Sequence, residues 1–156
     1  MSDQNELDEF SRQLQEQIMA QLRREYSETV LDLWHNPKNM GPLQDFDGHG
    51  KVKGTCGDTI EIYMKMENDV VRECTFTTDG CGATIACGSM ATELVKGMSF
   101  TEALARVSAE RIIQQLGGLP EAHTHCAQLA SESVRHALAD ALHHRKSSWK
   151  KLYRKS

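Results

Sequence analysis

The stretch from residue 59 to residue 78 constrains the fold most strongly, because it shows the period of two that is typical of β-strands. Its first half alternates polar side chains with apolar ones at Ile60, Ile62, Met64 and Met66. The turn residues 67–69 separate it from a partner strand over residues 70–78, and a third strand is predicted near residues 51–55. A small sheet with one polar face needs helices on its other face.

Helical patterns flank these strands in the sequence. Residues 5–35 carry apolar side chains three and four positions apart, and Ser27 is a candidate cap for a second helix. The segment Asp47-Gly48-His49-Gly50 is predicted to be a turn. After the strands, Ser99 and Ser108 are candidate caps of two short helices. The order predicts an α+β fold, in which helices pack a small three-stranded antiparallel sheet.

We expect three regions: an N-terminal helical extension over residues 1–25, a domain over 26–142 and a basic helix end or tail over 143–156. The chain has 156 residues and a net charge of −4, which argues against a nucleic-acid-binding function. It has neither an apolar run of membrane-spanning length nor a signal-peptide pattern, so we expect a cytoplasmic protein that does not enter a membrane. Five cysteines in such a chain indicate a reducing compartment.

Three of the cysteines lie at predicted element ends, where a thiolate is useful. Cys56 and Cys81 stand beside glycines, and Cys126 begins a long Ala-rich helical pattern. Helix N-termini stabilise thiolates, which are the form that binds metals or attacks sulfur. Cys74 and Cys87 share faces with apolar residues, and we assign them to packing.

A metal site usually needs a fourth ligand, and Asp58 and His125 are the candidates. Adjacent side chains usually point apart, so His125 and Cys126 are not expected to bind one metal together. The other histidines are assigned structural roles, at His35 and His49, or to solvent, at His123, His136, His143 and His144. The wide spacing of the three cysteines does not by itself identify a metal.

Five short segments give the chain a specific resemblance, in the same order, over about residues 26–142. They are His35-Asn36-Pro37-Lys38-Asn39-Met40-Gly41, Cys56-Gly57-Asp58, Asp79-Gly80-Cys81-Gly82, Glu93-Leu94-Val95-Lys96-Gly97 and His125-Cys126-Ala127-Gln128-Leu129-Ala130. Together they resemble the NifU/IscU-type scaffolds of iron–sulfur cluster assembly.

The resemblance implies that Cys56, Cys81 and Cys126 hold a transient [2Fe–2S] or [4Fe–4S] cluster, with Asp58 and His125 as auxiliary ligands. It implies that zinc can occupy the same site. It also implies that a pyridoxal-phosphate cysteine desulfurase delivers sulfur, as a persulfide on Cys126, and that apo iron–sulfur proteins receive the cluster.

Two features depart from the family pattern. Members served by a dedicated Hsp70-type chaperone carry Leu-Pro-Pro-Val-Lys before the His-Cys pair, whereas this chain has Leu119-Pro120-Glu121-Ala122-His123, so docking of that chaperone is not implied. Residues 1–25 extend beyond the family core. Their apolar stripe needs a partner, which we expect to be the domain's own surface or a second copy in a homodimer.

The function predicted from the sequence is a non-enzymatic scaffold that builds a cluster and transfers it. One alternative is a zinc-bound persulfide acceptor that works with a cysteine desulfurase. Another is a thiol enzyme that uses Cys81 with His125 and Asp58, although no recognised nucleophile motif surrounds these residues.

Overall fold

In the computed structural model, the backbone is described for residues 2–154 and the side chains for residues 2–145. The elements in chain order are α1 (Ser2–Glu25), α2 (Glu28–His35), β1 (Gly48–Lys53), β2 (Thr59–Glu67), β3 (Val70–Thr78), α3 (Gly82–Val95), α4 (Phe100–Arg106), α5 (Ala109–Gln115), a 3-10 turn (Glu121–His123) and α6 (Thr124–Arg154). The predicted α+β fold is confirmed. Among the described residues, no helix is both long and apolar enough to cross a bilayer.

The three strands form an antiparallel sheet in the order β1-β2-β3. The alternation in β2 buries Ile60, Ile62 and Met64 completely, which confirms the predicted apolar face. A register shift between Lys65 and Met66 interrupts this pattern, and Met66 is only partly buried. Helices α3 and α6 cover the apolar face, α3 over β3 and α6 over β1 and β2.

The first strand corrects the sequence interpretation, because the predicted turn at residues 47–50 lies largely inside β1. Gly48 pairs with Met64 and Gly50 with Ile62. A Cβ atom built on Gly50 would lie 2.3 Å from the carbonyl oxygen of Ser133 in α6. These glycines therefore let the backbone of α6 approach the strand directly. In the sequence, glycines with this function look the same as glycines that form a turn.

The cysteines assigned to packing are in the core. Cys74 on β3 and Cys87 on α3 are both fully buried. Burial raises the pKa of Cys74 to about 12 and raises that of Cys87 further, so both thiols stay protonated. Neither is available as a thiolate ligand.

The helix break predicted near Tyr26 is confirmed, and Ser27 caps α2 by accepting a hydrogen bond of 3.1 Å from the Val30 N–H. Helix α1 has no buried residue, and the apolar stripe at Leu7, Phe10, Leu14 and Ile18 is exposed. In this chain alone, the stripe therefore does not cover the domain surface. The predicted basic end over residues 143–156 continues α6 as far as Arg154, and the side chains of Trp149 and Tyr153 lie outside the described ones.

Candidate metal centre

Two helix starts bring Cys81 and Cys126 together. Cys81 is the N-cap of α3, and Cys126 lies in the first turn of α6, which packs beside α3. Both predicted positions at helix starts are confirmed. Cys81 is exposed, whereas the Cys126 side chain is only 1% exposed. The pair thus has one accessible thiol and one covered thiol.

A buried hydroxyl that the sequence interpretation missed, that of Thr84, lies at the centre of the site. Its Oγ1 is 3.1 Å from Asp58 Oδ2, 3.4 Å from Cys126 Sγ and 3.6 Å from Cys81 Sγ. A hydroxyl carries one proton, so it can donate to one of these acceptors at a time. Thr84 stands three residues after Cys81, the spacing that places two side chains on one helix face, and this was the available signal.

The two thiols differ in acidity. Desolvation raises the pKa of Cys81, but hydrogen bonds from the backbone N–H and hydroxyl of Thr84 and from the Ala83 N–H outweigh it, so the pKa is lowered overall. Burial raises the pKa of Cys126, opposed by the Thr84 hydroxyl and reinforced by negative charge on Cys81, Cys56 and Asp58. At neutral pH, Cys81 is therefore the more nucleophilic of the two.

The loop between β1 and β2 brings Asp58 to the site. A hydrogen bond of 2.8 Å from the Gly54 N–H to the Asp58 carbonyl closes the loop, and Gly57 adopts a φ of 93°. Cys56 is exposed in this loop, and its electrostatic interaction with Cys126 is one of the causes that raise the pKa of Cys126. The three predicted segments thus come from different parts of the fold toward one region, although Cys56 has no direct contact with the other two thiols among the described hydrogen bonds.

The adjacency of His125 and Cys126 had suggested that their side chains point apart, but in the structure the two side chains approach each other. His125 Nε2 lies 3.6 Å from Cys126 Sγ. That His125 and Asp58 bind metal stays a prediction.

His123 was expected to be in solvent, and the structure contradicts this. The residue is half-buried, and its Nε2 lies 2.9 Å from the Tyr26 hydroxyl. Its Nδ1 is buried and has no hydrogen-bond partner among the described residues. One ring nitrogen of His123 and the sulfurs of Cys81 and Cys126 all lie within 4.8 Å of one another. The 3-10 turn directly before α6 places His123 beside the two thiols. No local pattern in the sequence indicated this position.

Trp34 packs against the start of α3. A Cβ atom on Gly82 would lie 1.8 Å from Trp34 Cε2, so the indole ring rests directly on the glycine beside Cys81. This glycine therefore makes room for an aromatic ring. Tyr26 in turn meets Trp34 edge to face, with ring centroids 5.7 Å apart.

Two further segments that carry the family resemblance, residues 35–41 and 93–97, contact each other away from the thiols. Asn39 donates hydrogen bonds of 3.2 Å to Thr92 Oγ1 and 2.9 Å to Glu93 Oε2, and it accepts one of 2.7 Å from Lys96 Nζ. The hydrogen bond from Asn39 is the main cause that lowers the pKa of Glu93. This network ties the loop after α2 to the end of α3.

Comparisons with known proteins agree on one family. The family model described as the NifU-like N-terminal domain matches residues 25–148. The scaffold protein IscU of Aquifex aeolicus is 42% identical over 121 residues, which cover 76% of each chain. Iron-sulfur cluster assembly scaffold protein IscU 1 of Archaeoglobus fulgidus is 41% identical over 116 residues, which cover 74% of this chain and 75% of the relative.

The fold is also found among solved structures. The N-terminal part of a nitrogen-fixing NifU-like protein from Brucella abortus aligns with a TM-score of 0.60 at 20% identity, over 76% of this chain and 95% of that one. At this identity the likeness concerns the fold alone. Together with the family match and the identity to the two scaffold proteins, it shows that this chain belongs to the NifU-like N-terminal domain family.

Proposed function

We propose that this chain is a scaffold on which an iron–sulfur cluster is assembled and from which the cluster passes to apo-proteins. The observation that carries the proposal is the meeting of Cys81 and Cys126 at two adjacent helix starts, with Asp58 joined to both through Thr84. The relatives named above as cluster assembly scaffolds support it.

A mixed set of ligand atoms suits an iron–sulfur cluster that must later be released. Thiolates are the usual ligands of iron–sulfur clusters, whereas a carboxylate or imidazole binds iron less firmly than a thiolate does. We assign the cluster to Cys56, Cys81 and Cys126, with Asp58 or His125 at the remaining position. The exposure of Cys56 and Cys81 gives iron and sulfur a route in, and gives the cluster a route out.

Sulfur delivery requires a donor protein, which we infer to be a cysteine desulfurase. The persulfide acceptor we propose is Cys126, as the family resemblance implies. Because its side chain is only 1% exposed, its sulfur must become accessible before a donor can reach it. Docking of the donor would have to displace the side chains that cover it.

The zinc-bound persulfide acceptor is the second candidate function, and one observation favours it. The ligand atoms of Cys81, His123 and Cys126 lie within 4.8 Å of one another, a cluster of three that suits a single ion. We place the thiol-enzyme alternative third, because the relatives are named as scaffolds and not as enzymes.

Anaerobic reconstitution tests the proposal. The protein is incubated with ferrous iron, cysteine, a cysteine desulfurase and a thiol reductant that reduces the persulfide sulfur to sulfide, and cluster formation is followed by visible absorption and Mössbauer spectra. We expect cluster bands with the wild-type protein, loss of them in Cys81→Ser and Cys126→Ser, and their retention in the core control Cys74→Ala. Persulfide on a zinc-loaded protein without a cluster would favour the second candidate, and bands of equal intensity in all variants would contradict the assigned ligands.

A further inference from the structure

We propose that His123 is a metal ligand, and that Cys81, His123 and Cys126 form a three-ligand site for a single divalent ion such as Zn²⁺. The purpose that we assign to this site rests on the proposed function. The geometry of the three ligand atoms does not depend on that function. It concerns a histidine outside the five segments that carry the family resemblance.

The distances fit one ion. Zn–S bonds are about 2.3 Å and Zn–N bonds about 2.0–2.1 Å, so two ligand atoms on one tetrahedral ion lie roughly 3.4–3.8 Å apart. The three ligand atoms here lie within 4.8 Å of one another before any ion is present. Each pair of ligand atoms therefore has to approach by at most roughly 1 Å to reach the separation found on one tetrahedral ion.

The ring of His123 is held as a ligand ring would be. Metal-binding histidines usually place their second nitrogen in a hydrogen bond that sets the ring orientation. Here Nε2 meets the Tyr26 hydroxyl at 2.9 Å, and Tyr26 itself is packed against Trp34. Nδ1 is buried without a hydrogen-bond partner in the described part of the chain, so it is the nitrogen left for an ion. A buried nitrogen without a partner is costly, and a bound ion would satisfy it.

Three protein ligands leave one coordination position open, as in catalytic rather than structural zinc sites. Asp58 and His125 lie close to the two thiols: Asp58 shares the Thr84 hydroxyl with them, and His125 Nε2 lies 3.6 Å from Cys126 Sγ. Either of them, or a water molecule, can complete the ion's coordination. His123 would thus keep an ion on the two thiols while the fourth ligand exchanges.

The test measures metal binding directly and needs no cluster. Zn²⁺ affinity is determined by competition with a chromophoric chelator for the wild-type protein, His123→Gln and the matched control His136→Gln, which changes an exposed histidine on α6. We expect His123→Gln to weaken binding at least about 10-fold and Tyr26→Phe to weaken it by less, because Tyr26 only orients the ring. The control should stay within twofold.

A second measurement uses the wild-type protein and so does not depend on the folding of a variant. With ¹¹³Cd²⁺ bound, a proton–cadmium correlation should connect the metal to the ring of His123. A correlation to His125 alone, or an affinity of His123→Gln within twofold of the wild type, would overturn the inference. If Zn²⁺ binds through His123 but the wild-type protein builds no cluster, the inference holds and the scaffold function fails. If a cluster forms and His123→Gln binds Zn²⁺ normally, the inference alone fails.

Discussion

The substitution Thr84→Val tests the idea that one hydroxyl organises the metal centre. Valine keeps nearly the same shape and removes only the hydroxyl, and Thr84 is fully buried, so little else should change. The loss leaves Asp58 Oδ2 without its 3.1 Å donor and the sulfurs of Cys81 and Cys126 without their shared partner.

The expected magnitude follows from these contacts. A hydrogen bond to a charged group contributes about 1.5–3 kcal/mol, and half-buried Asp58 can recover part of this from water. We therefore expect the free energy of unfolding of the apo-protein to fall by about 1–2 kcal/mol. The pKa of Cys81 should rise above its wild-type value, because one of the hydrogen bonds that lower it is lost while those from the backbone remain.

Two assays on the metal-free, reduced protein measure these effects. Urea unfolding gives the stability, and the pH dependence of iodoacetamide alkylation at Cys81, followed by mass spectrometry, gives the acidity of the thiol. The matched variant Thr84→Ser keeps the hydroxyl and should retain the wild-type alkylation profile. A Thr84→Val protein with an unchanged urea midpoint and an unchanged alkylation profile would refute the role of the hydroxyl.

Four further predictions follow from the same structure. In the apo-protein at neutral pH, Cys81 should be alkylated faster than Cys126, because it is exposed and its pKa is lowered while that of Cys126 is raised; equal rates would contradict this. Gly50→Ala should lower the free energy of unfolding in urea by about 3 kcal/mol, since its Cβ would overlap the α6 backbone. Asp58→Ala should hold a reconstituted cluster longer against a chelator, because a hard oxygen ligand is lost, and faster release would refute this. Deletion of residues 1–25 should leave Zn²⁺ affinity within twofold and, if the exposed stripe joins two copies, lower the mass measured by light scattering.

The predictions from local sequence that the structure confirms share a physical basis. The alternation over Ile60, Ile62 and Met64 reports which side of a strand is buried, because successive side chains point to opposite faces. The serine caps report where helices begin, and Ser99 and Ser108 accept hydrogen bonds of 3.1 Å from the Glu102 and Arg111 N–H groups. Each of these depends on a few neighbouring residues.

The predictions that the structure contradicts depend on residues that are distant in the sequence. Gly48 and Gly50 resemble turn residues until α6 is seen to lie against β1. His123 resembles a solvated histidine until Tyr26, nearly a hundred positions earlier, is found beside it. In each case the deciding partner is distant in the sequence, so no local pattern could reveal it.

Local sequence patterns were sufficient to predict the fold class, the order of the main elements, the packing cysteines and the three cysteines at element ends. The tertiary structure alone decided which atoms meet: that α3 and α6 pack side by side, that the Thr84 hydroxyl lies between Asp58 and two thiols, and that His123 joins the group. The physical reason is that secondary structure follows from local periodicity, whereas a metal centre depends on long-range packing that brings distant helix starts within a few ångströms of each other.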